Sequence, residues 1–159
     1  MGKYRFDGVT IVYAEFDGDI DVDAITETHY DNLSGEEMET TRILNGLSEL
    51  KAETEDVYER AKFETKRVAA QVKNKLRREA AENKGKVDSG GVEIKVTDDC
   101  LKELVYLDKG YQKAANNEYK AKKDFEIVSP LYWQVKAKMD KINHIKSGGK
   151  KISYNFDED

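Results

Sequence analysis

Lys62, Lys66, Arg67, Lys73, Lys75, Arg77, Arg78, Lys84 and Lys86 put nine cations into 25 residues of a chain whose net charge is −5. On a helix, the members up to Arg78 lie around the side away from a seam of Val68, Val72 and Leu76, and Lys84 and Lys86 carry the charge into the following loop. Cations at that density can neutralise several phosphates. Each phosphate contact on a single strand makes the logarithm of affinity fall by about 0.7 per decade of salt. The bland reading is a solvated helix face balanced by glutamates nearby. The charge distribution weighs against it. Residues 1–59 carry 4 basic and 16 acidic groups, residues 60–86 carry 10 basic and 3 acidic, and residues 87–159 carry 13 of each. Such asymmetry points to a polyanion site beside acidic arms.

Other chemistry finds less support. Asp17, Asp19, Asp21 and Asp23 alternate as in a calcium loop, but the sixth and twelfth positions hold Val22 and Thr28 where glycine and glutamate are required. No metal site is expected there. His29 and His144 stand far apart in sequence. Cys100 lies beside Asp98 and Asp99, which disfavour a thiolate, although its place in a first helical turn works the other way. The segment SGGVEIK lacks the spacing and the following Lys-Ser of a phosphate-cradling loop. The expectation is a protein that is not an enzyme and needs no cofactor.

Aromatic rings offer a second chemistry, because bases stack on them. Tyr106, Tyr111, Tyr119, Phe125, Tyr132 and Trp133 interleave with lysines, yet most lie on the apolar stripe and read as core. Trp133 is out of phase with Tyr132, Val135 and Met139. It is the ring expected to be exposed, on a base or at an interface between subunits. The tail ISYNFDED pairs aromatics with acids, as a solvating tail or a short contact for a partner protein does.

The elements that must carry these residues are mostly helical. Hydrophobic and charged residues make up 38% and 37%, mean hydropathy is −0.79, and there is one proline. Residues 3–16 alternate as one or two short strands, and the acidic stretch after them reads as an extended arm. Ser34, with Glu37 three residues on, has the capping-box pattern. After it Ile43, Leu47, Leu50, Val57, Ala61, Val68, Val72 and Leu76 recur at coiled-coil spacing, with polar lapses at Thr54 and at Glu64 or Thr65. That helix is expected to end near 83–85. A glycine-rich loop or hairpin follows, then a second long helix capped by Thr97, running through Pro130 and stopping at Ser147, Gly148 and Gly149.

The expected fold class is therefore mainly α: two long antiparallel amphipathic helices, the second kinked at Pro130, in an oligomer. The domain layout is an acidic arm with short strands (1–33), a helical domain (34–146) and a flexible acidic tail (147–159). One cysteine, no signal-peptide pattern at the start and no 18-residue apolar run are what a cytoplasmic protein shows.

The run VEIKVTDDCLKELVYLDKGYQKAANNEYKAKKDFEIVSPLYWQVKAKMDKINHIK, preceded by the basic helix VYERAKFETKRVAAQVKNKLRRE, resembles phage recombination mediator proteins of the UvsY-like family. The likeness covers roughly 50–146. LDKGYQK matches an aspartate-x-x-tyrosine-like element, with EYKAKKDFE and KMDKINHIK in the helices after it. The resemblance implies a ring-like helical homo-oligomer in the host cytoplasm. Such a protein binds single-stranded DNA, contacts single-strand binding protein and recombinase, and helps the recombinase load. It places DNA contacts on Lys66, Arg67, Lys73, Lys75, Arg77 and Arg78. Oligomerisation falls to the closing helix 131–145, through Tyr132, Trp133, Val135, Met139 and Ile142. The acidic arm and the tail depart from the pattern. The competing reading is a structural or scaffolding protein of a phage, whose basic helix pairs with acidic segments of neighbouring subunits.

Overall fold

The computed structural model describes the backbone of residues 4–6, 10–13, 19–21 and 25–154, and side chains over 25–148. Strands β1 (Tyr4–Phe6), β2 (Thr10–Tyr13) and β3 (Asp19–Asp21) form an antiparallel sheet in that order, with Phe6 opposite Ile11 and Ile11 opposite Ile20. The alternating segment thus supplies two strands, as expected. The acidic stretch is not simply an extended arm, because its Asp19–Asp21 forms the third. Residues 14–18 and 22–24, and the acidic end at 155–159, lie outside the described residues.

A 3₁₀ turn at Tyr30–Asn32 leads into helix α1 (Leu33–Glu82). The cap is Asn32 rather than Ser34: its Oδ1 accepts the Gly35 amide at 3.1 Å. Asparagine at this position satisfies an amide that the helix leaves unpaired, as serine would have done two residues later. Glu37, freed from any capping box, contacts Lys146. The far end of α1 is a left-handed C-cap. Lys84 and Gly85 have φ of 53° and 84°, and the Gly85 amide donates to the Ala80 carbonyl at 2.6 Å.

Strands β4 (Lys86–Ser89) and β5 (Val92–Lys95) form a hairpin, with Val87 opposite Ile94 and Ser89 opposite Val92. Gly90 and Gly91, at φ of 64° and 87°, make the two-residue turn that needs positive φ at both positions. Helix α2 (Asp98–Leu107) follows, capped as expected by Thr97, whose hydroxyl oxygen accepts the Cys100 amide at 3.2 Å.

The second long helix is not continuous from Thr97. Asp108 has extended backbone (ψ 128°) and its Oδ1 accepts the Tyr111 amide at 2.8 Å, so it ends α2 and caps α3 (Lys109–Tyr154). A short acid that can bond its own downstream backbone prefers a cap to a helix interior. Helix α3 runs through Pro130, and it passes Gly148 and Gly149 to reach Tyr154 instead of stopping there. Glycine weakens a helix by about 1 kcal/mol without forbidding it.

Contacts divide the chain into two compact units, residues 1–54 with 124–159, and residues 55–123. In the first, Ile43, Leu47 and Leu50 of α1 pack with Ile25 and with Val128, Leu131 and Val135 of α3. The two helices run antiparallel, since Glu36 meets Lys138 while Lys51 lies over the rings of Phe125 and Tyr132. Burying each such aliphatic side chain favours folding by about 1.5–3 kcal/mol. In the second unit Thr65, Ala80, Val87, Leu101, Val105, Ala114 and Ala121 are buried.

Candidate nucleic-acid interface

The candidate surface lies wholly in the second unit, on residues 62–86. At 100° per residue, Lys62, Lys66, Lys73 and Arg77 fall within about 60° of one another, as one stripe along α1. Arg67 and Arg78 form a second row, about 80° further round. Between the rows lie Ala70, Asn74 and Phe63. Most of these cations are exposed, with Lys62 and Lys73 half-buried.

Their electrostatic state is divided. Arg67 is clamped by Glu64 through two bonds, Nη2 to Oε1 at 2.6 Å and Nε to Oε2 at 2.7 Å. These bonds hold the Glu64 carboxyl below its usual range and raise the Arg67 guanidinium further. Lys62 meets Glu59 at 3.3 Å, Lys75 meets Glu79 at 3.9 Å, Lys86 meets Glu93 at 3.1 Å, and Arg77 meets Asp98 of α2 at 3.6 Å. All five pairs are open to solvent, where such contacts are weak and a competing polyanion can displace them. Lys66, Lys73, Arg78 and Lys84 have no acidic partner among the described residues.

Phe63 is the functional candidate that sequence reasoning missed. Its ring is 69% exposed, three residues before Lys66 and four before Arg67, so on a helix it neighbours both. The signal was available, because Phe63 is out of phase with the Val68–Val72–Leu76 seam. An exposed ring between cations can stack on a base while its neighbours hold the backbone.

The other rings sort differently from expectation. Tyr106 and Tyr119, read as core, are 62% and 67% exposed, while Tyr111 is half-buried with its ring edge-on to Tyr106 at 5.4 Å. Desolvation raises the Tyr111 hydroxyl above its ordinary pKa. Phe125 and Tyr132 are half-buried, as expected of core rings.

Of the residues expected at a subunit interface, Val135 and Ile142 are fully buried within the first unit. Their apolar surface is already spent inside the chain, so they have none to offer a second copy. Tyr132 and Met139 are half-buried. Trp133 is exposed as expected, at 53%, with Lys136 Nζ 5.0 Å from its ring centroid and Tyr132 edge-on at 5.1 Å.

Among the described residues no group of three acidic, histidine or cysteine side chains is placed to hold a metal ion, and no helix is long and apolar enough to cross a membrane. Cys100 is a half-buried free thiol, and His29 and His144 are exposed. Comparison with protein-family models, with curated proteins and with solved structures gives no match, so what this surface does must be argued from its own residues.

Proposed function

We propose that this chain binds single-stranded DNA through the 62–86 segment and acts, without catalysis, as a recombination mediator that helps load a recombinase onto DNA covered by single-strand binding protein. The observation that carries the binding is the run of Lys66, Lys73 and Arg78 along α1, without acidic partners among the described residues, with the exposed ring of Phe63 beside the first of them. Cations alone would suit any polyanion, whereas a solvent-facing ring among them suits unstacked bases. The mediator role rests on the resemblance in 50–146. An oligomer displaying this helix many times would turn weak contacts into avidity.

A second reading has its own support. Five of the nine cations already meet carboxylates of their own chain, and Met38, Val57 and Trp133 leave apolar surface uncovered. A helical scaffold of a phage, assembling through such surfaces, would need no nucleic acid.

Fluorescence anisotropy of a labelled oligo-dT over a salt series separates the two. Salt-steep binding that is lost in a Lys73→Glu/Arg77→Glu/Arg78→Glu variant supports the DNA reading. A folded wild type that ignores the oligonucleotide at low salt leaves the scaffold.

A further inference from the structure

The second unit contains a cleft of about 340 Å³ lined by Lys73 and Arg77 of α1 and by Asp98, Leu101 and Lys102 of α2. Lys73 and Arg77 are one turn apart, so they share a face, and α2 brings a third cation, Lys102, to the same place. Lys73 has no acidic partner among the described residues, and Lys102 has only the 3.6 Å contact with Asp99. The Asp98 carboxylate reaches in from α2 and rests 3.6 Å from the Arg77 guanidinium, although its own side chain is 91% exposed.

We propose that this cleft seats one phosphodiester of the bound strand, and that Asp98 is a resident competitor occupying the guanidinium until the phosphate arrives. This rests on the single-strand reading above and adds two residues to it, Lys102 and Asp98. Three cations converge where two exposed carboxylates, Asp98 on Arg77 and Asp99 on Lys102, neutralise only part of their charge. A phosphodiester is a monoanion whose two free oxygens match the planar fork of Arg77, with Lys73 and Lys102 as further point charges lining the same cleft. Asp98 holds that fork in a loose, solvent-exposed ion pair that a better-placed anion displaces. The chemistry excludes no phosphate in principle, so free phosphate is the competing source.

The test uses the full chain. Oligo-dT affinity and its salt dependence are measured for wild type, Asp98→Asn, Lys102→Ala and Glu118→Gln, the last removing the same charge from α3 away from the cleft. Asp98→Asn should tighten binding about two- to five-fold relative to Glu118→Gln, as expected for releasing one exposed ion pair. Lys102→Ala should flatten the salt slope by about 0.7. Circular dichroism verifies that each variant folds. If Asp98→Asn and Glu118→Gln shift affinity equally, or Lys102→Ala leaves the slope unchanged, the cleft proposal falls while the reading of α1 as a DNA site stands. If the wild type does not bind oligo-dT at low salt, both fall. Amide shifts of Asp98, Leu101 and Lys102 on titration separate the sources. Perturbation by oligo-dT but not by inorganic phosphate at equal phosphate concentration supports the diester, and the reverse overturns it.

Discussion

Lys138 Nζ lies 2.7 Å from Glu36 Oε2 on side chains that are 7% and 14% exposed, and it also donates to the Ile25 carbonyl at 3.3 Å. One buried ammonium thus ties α1, α3 and the segment before α1 together. The contact has ion-pair distance, while Glu36 Oε2 has no aligned hydrogen-bond donor. Removing one partner strands a charge in the core. Lys138→Met is therefore expected to destabilise the first unit by about 3–5 kcal/mol, and Lys138→Met/Glu36→Leu to recover most of the loss. Urea denaturation of both variants checks this, and equal stability of the single and double changes would sink it.

Phe63→Ala removes a ring and no charge. Oligo-dT affinity should fall by the equivalent of about 1–3 kcal/mol for one stacked base, with the salt slope preserved. Phe63→Trp should restore it. A loss confined to the slope would mean that the ring only positions neighbouring cations.

Acid weakens α1 in a definite direction. The Arg42 hydrogen bonds to Glu39, and the Arg67 bonds to Glu64, hold both carboxyls below the ordinary 4.5. A carboxyl whose folded pKa is depressed contributes stability above its unfolded value, and that stability is lost as pH falls through the folded value. The urea midpoint should thus decline below pH about 4.5, and less steeply in Glu39→Gln/Glu64→Gln. At neutral pH, Glu64→Gln alone should release Arg67 and tighten oligo-dT binding, which anisotropy reads directly.

Pro130 is exposed inside an unbroken helix, where it donates no backbone hydrogen bond. Pro130→Ala should raise the thermal midpoint, by up to about 3 kcal/mol of stability, if nothing depends on the ring. A fall instead would show that the packing of Val128 and Leu131 needs the local geometry proline imposes.

Periodicity located Ile43, Leu47 and Leu50 because these side chains are apolar and bury fully. It also carried Val57, which is 43% exposed. Thr54 and Thr65 look like lapses in that seam, yet both are buried. Their hydroxyls donate to the carbonyls of Lys51 and Ala61, a local solution that hydropathy does not register. Asp108 was not legible as a cap within the second helix, because that role depends on one backbone angle. The basic segment was legible as charge. Which cations are already paired, and that Phe63 faces solvent among them, required side-chain positions. Cleft residues Asp98 and Lys102 were out of reach for a different reason: nothing in a linear pattern says that the start of α2 meets the 73–77 face of α1.

The first unit is stitched from the two ends of the chain, whereas the second is contiguous. During synthesis, residues 55–123 emerge as a run that can close its hairpin and short-range helical contacts at once. Leu47 and Leu50 must wait for Val128 and Val135 to leave the ribosome. Bringing ends together across a long intervening segment costs loop entropy, and that cost drops if the segment has already folded. The basic surface is thereby expected to form before the Lys138–Glu36 tie closes the first unit.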